Sequence, residues 1–478
     1  MKVLLVEDHD GIAEAVDECL RASGAAYQLV VAQGAKEARQ SFNSGLYDFV
    51  ICDRKIPAEA GLLAAPDEAH GDAVIAELME YYPGTPIIVL TAFRNMDFLQ
   101  GLLDSARTGD AFAERVQRPL IRCFDKTRLP ECLRDVGAMA AQVRILDDIE
   151  VILNGRPPAG RLRSTELRLL RMFARIKGGS QIRVEPIGGG LSGTVTLRVR
   201  VVNAHGGFCT SAFVKIGRLT LLAKEHERYN AGVPATLPNW AYAPLAQYIE
   251  CGAGDVGALV YTLGEGYDRS FFDSLTASPE SGALLIRNLE SLFSAWHDGA
   301  VNHPTTVREV RRLLVEDEAA ETLVAGIIDE SVWKAFEARQ LVVKKCNQHC
   351  DLHGENVLVK DDGEMLVIDY GDVRPAHASL DMVALELSLL FHTKNVRGAW
   401  HWPSEEQARM WHDVSFYTSG SAAEPFVAAC RSAAFRLAAG PREVYASAYA
   451  YALRQLKYRD TDKALAGAIL QCAVSQFE

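Results

Sequence analysis

The stretch His349-Cys350-Asp351-Leu352-His353-Gly354-Glu355-Asn356, followed by Val367-Ile368-Asp369-Tyr370-Gly371-Asp372, decides how the second half of this chain is read. It sets an Asp, an Asn five residues later and another Asp eighteen residues after the first, each beside a short apolar run. Upstream, Ile187–Gly193 carries Gly188, Gly190 and Gly193 between Ile182–Val184 and the β-branched run Thr194–Val202, a pattern that predicts strand, turn, strand. Glycine at such a turn lets backbone N–H groups close on a polyphosphate without Cβ interference. A dinucleotide-binding turn would need a helix after the glycines, and Thr194–Val199 predicts a strand instead. Ser211–Ile216 then sets Lys215 alone among apolar residues. Leu222–Tyr229 offers Glu225 and Glu227, of which Glu225 shares a helical face with Tyr229. Cys346, His349, Cys350 and His353 fall at i, i+3, i+4 and i+7, which on a helix would align four soft ligands for zinc. Zinc sites prefer separated ligand pairs joined by a turn, and zinc leaves Asp351, Asn356 and Asp369 unexplained.

The H-x-D-L-H-x-x-N form with its downstream Asp resembles kinase-fold phosphotransferases of the aminoglycoside-phosphotransferase and choline-kinase branch. Eukaryotic protein kinases read H-R-D-L there. It also resembles the kinase-like ternary-complex-associated domains of bacterial conflict systems. The resemblance implies a bilobal α+β fold that uses ATP and Mg²⁺. Asp351 would orient or deprotonate the acceptor hydroxyl, while Asn356 and Asp369 hold the metal. Lys215, held by Glu225, would grip the nucleotide phosphates under a lid formed by Gly188, Gly190 and Gly193. Ala258–Gly266 would be the strand and hinge between lobes, and His349 a structural brace for the catalytic loop. No A-P-E-like activation segment is visible, which favours a small-molecule or unusual acceptor.

The N-terminus carries a separate pattern. Val3–Val6 ends in Glu7-Asp8, Phe49–Cys52 in Asp53, Ile87–Leu90 in Thr91, and Leu120–Asp125 in Lys126. Short apolar runs separated by amphipathic stretches predict a doubly wound parallel sheet, with chemistry at the carboxyl ends of its strands. This set resembles the receiver domain of bacterial response regulators, with five parallel strands over about residues 1–145. The resemblance makes Asp53 the phosphoacceptor and gives Mg²⁺ to Glu7, Asp8 and Asp53. Thr91 would sense the acyl phosphate and Lys126 neutralise it. Three carboxylates in one pocket repel, and a hard divalent cation relieves them. Extra residues lie at Leu62–Gly71 and Thr108–Arg118. Cys123 stands where an aromatic switch is usual, with Phe124 adjacent, and Thr127 replaces the usual Pro. The output face is therefore altered.

A chain of 478 residues, 49% of them hydrophobic, is long enough for several cores. Ten cysteines without regular spacing, no apolar leader and no membrane-length apolar run predict a cytoplasmic protein. A net charge of −12 argues against a broad nucleic-acid surface. Residues 146–180 read as linker (Asn154–Gly160) and connecting helix (about Thr165–Ile176, with Leu167, Leu170 and Phe173 or Ala174 on one side), 181–265 as the strand-rich lobe and 266–478 as the helical lobe with its tail. The expected whole is a two-component protein. Its receiver, fed by a histidine kinase or small phosphodonor, regulates ATP-dependent phosphoryl transfer to an unidentified hydroxyl acceptor or partner protein. Coupling is expected through Thr91–Phe93 and Phe124 against the connector, and a homodimer is left open. The alternative is a receiver-linked pseudokinase that binds nucleotide as scaffold or sensor. Cys350 and Glu355, at positions often filled by small residues, favour that alternative, as does the glycine-dense lid.

Overall fold

Short continuous apolar runs set the first sheet. The runs Lys2–Val6 (β1), Phe49–Asp53 (β3) and Ile87–Thr91 (β4) are almost wholly buried, as parallel strands covered on both faces must be. Gln28–Ala32 (β2) is half-exposed, as befits an edge strand. After a two-residue hairpin, Thr108–Gly109 (β5) with Arg118–Pro119 (β6), the strand Ile121–Asp125 (β7) closes the sheet in the order β2-β1-β3-β4-β7. All four pairings in it are parallel. The computed structural model describes every residue except 43–44, 62–64, 93–100, 102–106, 156–160, 188–193, 393–395 and 478. Gly188, Gly190, Gly193 and Phe93 therefore lie outside the described residues.

The chain forms two compact units, Met1–Leu222 with Leu245–Thr262, and Ala223–Pro244 with Leu263–Glu478. The first unit holds a second, six-stranded sheet. Its strands are Glu150–Leu153 (β8), Gln181–Pro186 (β9), Val195–Val202 (β10), Phe208–Arg218 (β11), Leu245–Ile249 (β12) and Val256–Thr262 (β13), in the order β12-β13-β11-β10-β9-β8. The 146–180 segment differs from a simple linker: β8 pairs in parallel with β9, and the helix Ser164–Ile176 buries Leu169, Leu170, Met172, Phe173 and Ala174, with Leu167 only half-buried. One continuous core results. It runs from Val3, Phe49 and Leu90 through Val136, Met139 and Val143 of the helix Leu129–Asp147, past Phe173, to Val184, Val199, Val214 and Val260. The insertion at 108–118 belongs to that core: Ala111, Phe112 and Ala113 are buried in it, and Arg175 Nη1 donates to the Phe112 carbonyl at 2.9 Å. A buried ion pair, Arg168 to Asp48 at 2.5 Å, ties the same helix to the parallel sheet.

Two three-stranded sheets and a helical body make up the second unit. Arg269–Ser270 (β14), Val357–Val359 (β17) and Met365–Val367 (β18) form one sheet, ordered β14-β17-β18. Val301–Thr306 (β15), Gln340–Gln348 (β16) and Arg374–His377 (β19) form the other, ordered β15-β16-β19. The helix Leu380–Phe391 is buried on all sides, and Glu424–Leu437 and Pro441–Gln455 pack on it. Trp296, Trp333 and Phe336 are core residues here.

Candidate functional site

The parallel sheet delivers its chemistry at the carboxyl ends of the strands. Glu7 and Asp8 follow β1, Asp53 ends β3, Thr91 ends β4 and Lys126 follows β7. One carboxylate oxygen from each of Glu7, Asp8 and Asp53 lies within 4.8 Å of the others, the one such His/Cys/Asp/Glu cluster among the described residues. Lys126 Nζ donates to Asp53 Oδ2 at 2.7 Å and to Glu7 Oε1 at 3.0 Å. Burial, first, and the neighbouring Asp53 charge push the Glu7 carboxyl above its ordinary value, against the Lys126 contact. Burial does the same to Asp53. Lys126 is itself raised: burial works to lower it, but its bonds and charge contacts with Asp53 and Glu7 outweigh that. One ammonium thus undercompensates three carboxylates, and buried Asp53 Oδ1 accepts no hydrogen bond among the described residues. The donor set is all oxygen and short of positive charge, which fits a hard divalent cation.

Behind Asp53, Arg54 is buried and binds Asp72 (Nε to Oδ1, 2.8 Å) and Glu68 (Nη2 to Oε2, 2.9 Å) of the helix Glu68–Tyr81. Gly71 of that helix lies so close that a Cβ there would fall 2.0 Å from the Arg54 carbonyl oxygen, so only glycine fits. On β7 the period of two turns Cys123 to solvent and Phe124 inward against the shared core. Phe124 therefore cannot stand in for the aromatic usually found at 123, because it sits on the other face. Asp125 Oδ1 accepts from the Thr127 N–H at 2.9 Å, a bond that proline at 127 would lack.

In the second unit β16 runs through Gln348, so the chain that would align Cys346, His349, Cys350 and His353 on a helix is strand and loop; the zinc pattern does not form. His349 is fully buried, and its Nε2 pairs with the Ile368 carbonyl at 3.0 Å, bracing the loop to the segment before Asp369. Asp381, at the start of the helix Leu380–Phe391, accepts from the His349 N–H (2.6 Å) and the Cys350 N–H (2.9 Å), and Gln348 Oε1 accepts the Asp381 N–H. Cys350 and Asp369 hold left-handed backbone, φ 64° and 63°, an unfavourable conformation for non-glycine residues that this bracing sustains. Asn356 Nδ2 donates to the Asp351 carbonyl at 3.0 Å, and the Ile368 N–H donates to the Asn356 carbonyl at 2.9 Å. Asp351, Asn356 and Asp369 are thereby knitted into one loop system. Asn356 and Asp369 offer oxygen donors suited to a hard cation.

Arg454 Nη2 pairs with Asp351 Oδ1 at 3.0 Å. Burial works to raise the Asp351 carboxyl, but Arg454, with His353 and His349, holds it below the usual range. Arg454 reaches Asp351 across 103 residues, so no local spacing points to it. Lys215 lies in the first unit, buried in the C-terminal half of β11. In the second, Glu225 and Tyr229 are both buried on one face of the helix Leu219–Gly232, while Glu227 is exposed.

Residues 3–109 match the family model of the response regulator receiver domain, and residues 183–418 that of the phosphotransferase enzyme family. The transcriptional regulatory protein DltR of Streptococcus agalactiae is 27% identical over 176 residues, 37% of this chain and 73% of that protein. The transcriptional regulatory protein GlrR of Escherichia coli is 26% identical over 184 residues, 33% of this chain and 37% of that one. Among solved structures, the Francisella response regulator 1452 receiver domain is 21% identical, covering 30% of this chain and 98% of its own, with a TM-score of 0.22. A thermostable mutant of aminoglycoside phosphotransferase APH(4)-Ia, in a ternary complex with ADP and hygromycin B, is 12% identical, covering 64% of this chain and 99% of its own, with a TM-score of 0.37. The chain is a response regulator receiver domain fused to a phosphotransferase-family domain. Arg454 falls beyond the matched phosphotransferase span. No helix among the described residues is long and apolar enough to cross a membrane.

Proposed function

We propose that this chain is a two-component response regulator whose output is ATP-dependent phosphoryl transfer to a hydroxyl. In this reading residues 1–145 are the receiver, 146–180 a connector, 181–265 the strand lobe and 266–478 the helical lobe. Asp53 attacks a phosphoryl group from a histidine kinase or small phosphodonor, with Glu7, Asp8 and Asp53 as the Mg²⁺ ligands. Lys126 and Thr91 then meet the acyl phosphate. In the output domain Lys215 engages the nucleotide phosphates, and Asn356 and Asp369 are the residues for Mg²⁺. Asp351 orients the acceptor hydroxyl. Bound Mg²⁺ supplies charge neutralisation at the phosphoryl oxygens in both domains.

The observation that carries the output reading is the braced loop in which Asp351, Asn356 and Asp369 are tied together through backbone bonds to Asn356, His349 and Asp381. A second reading, a nucleotide-binding pseudokinase, is favoured by the Arg454 contact, which occupies an oxygen of Asp351 that an acceptor hydroxyl would use. Incubation of the protein with Mg·ATP and cell extract, followed by mass spectrometry and ADP quantitation against Asp351→Ala, separates the two. Transfer lost in the variant supports the enzyme. Transfer indifferent to Asp351 removes its assigned role, and nucleotide binding without any Asp351-dependent turnover establishes the second reading.

A further inference from the structure

At the amino ends of β4 and β7, on the opposite side of the parallel sheet from Asp53, lies a cavity of about 250 Å³. Met79, Ile87, Leu120 and Ile121 give it apolar walls. Tyr82, Thr85 and Arg107 bring polar side chains to it. Thr85 is buried, and its hydroxyl has no hydrogen-bond partner among the described residues. Arg107, exposed at the same cavity, has a guanidinium with no hydrogen bond or ion pair among the described residues. A buried hydroxyl without a partner is uncommon in folded proteins and marks a group whose partner arrives with a ligand or water.

We infer that this cavity is a binding site for a small carboxylate on an apolar body, with Arg107 taking the carboxylate and Thr85 a second polar contact. Size selects the body: an apolar cavity of about 150 Å³ already holds benzene, so this volume admits a ring or short chain plus its acid group. Charge selects the head. A guanidinium pairs two N–H donors with a carboxylate, whereas a neutral head leaves that geometry unused. A phosphate without an apolar body would leave the walls uncovered.

The cavity also adjoins the seam inside the first unit. Between lining residues Tyr82, Pro83 and Thr85 sits Gly84, whose N–H donates to the Gly254 carbonyl at 3.1 Å and whose carbonyl accepts from Gly252 at 2.7 Å. Those two glycines belong to the turn between β12 and β13, so an occupant touches the same short loop that joins the parallel sheet to the six-stranded one. Binding itself is independent of phosphoryl transfer and is measured without it.

The test is ligand-observed fluorine NMR of 4-fluorobenzoate with the full-length protein, with 4-fluorobenzyl alcohol as the neutral counterpart. The inference predicts saturable binding of the acid, with the alcohol about tenfold weaker. Arg107→Gln should weaken the acid by a similar factor and leave the alcohol unchanged, and Thr85→Val should weaken both. Circular dichroism and thermal midpoint confirm that each variant is folded. Absence of saturable binding by the wild type overturns the inference. So does equal affinity for acid and alcohol, or wild-type affinity for the acid in both folded variants.

Discussion

Removing or adding Mg²⁺ at the Glu7–Asp8–Asp53 cluster should change stability in a way that depends on pH with a defined sign. Glu7 and Asp53 are both raised above ordinary carboxylate values, chiefly by burial. A carboxylate raised in the folded state binds protons more readily folded than unfolded. It therefore costs stability above its folded value, and that cost disappears as pH falls toward the unfolded value of about 4. Lys126, raised as well, stays charged across this window and adds no slope. The metal-free protein should lose stability as pH climbs from about 4 through the raised values. Mg²⁺ competes with protons for the same oxygens, so its stabilising effect should grow along the same climb. At a concentration ten times its dissociation constant the ion adds about 1.4 kcal/mol. For a cooperative unit of this size that is a rise of about 3–6 °C in the thermal midpoint. Scanning calorimetry at about pH 5 and about pH 7.5, with and without MgCl₂, reads it directly. Asp53→Asn should reduce the rise and Asp369→Asn should not, because nucleotide is absent. An equal rise at both pH values, or one insensitive to Asp53→Asn, would refute the assignment of metal to this cluster.

Asp381→Ala strands two buried N–H groups at His349 and Cys350, so it should cost about 2–5 kcal/mol in denaturant unfolding and raise hydrogen exchange at those amides. Gly252 has φ +90° and an ideal Cβ would sit 2.2 Å from the Ala111 carbonyl oxygen; Gly252→Ala should destabilise the first unit by about 2–5 kcal/mol, and a neutral effect would deny the packing described there. Arg454→Ala removes the charge that holds Asp351 low, so the acid limb of any Asp351-dependent turnover should move to higher pH. An unmoved limb would show that Arg454 does not set the state of Asp351.

Local pattern carried most of the architecture. Strongly apolar β1, β3 and β4 and the acids at their ends were legible because a covered parallel strand has to be continuous in its apolar residues and has to end at the site. The loop that ties Asp351, Asn356 and Asp369 together was legible for a similar reason: the three lie close in sequence. What sequence hid was non-local. β2 carries little local signal, because Gln28–Ala32 is a half-exposed edge. The strand Glu150–Leu153 within the 146–180 segment is not legible, because nothing local shows that it will pair with Gln181–Val184, although the helix that follows it is. Thr108–Arg118 reads only as extra residues, yet Ala111–Ala113 fill the core between two sheets. Arg454 and Asp381 reach the loop from distant helices, and no spacing rule connects them to Asp351 or His349.

If the state of Asp53 governs the phosphotransferase domain, as proposed, the shared core from β1 to β13 is the physical route for it. Nucleotide titration by calorimetry, with Mg²⁺ and with or without beryllofluoride as a mimic of the Asp53 phosphoryl group, tests this most directly. A coupling of about 1–3 kcal/mol predicts a change of about 5–150-fold in nucleotide affinity, abolished by Asp53→Asn. Identical affinity and turnover in both states, with beryllofluoride demonstrably bound, would contradict the claim and leave two tethered domains.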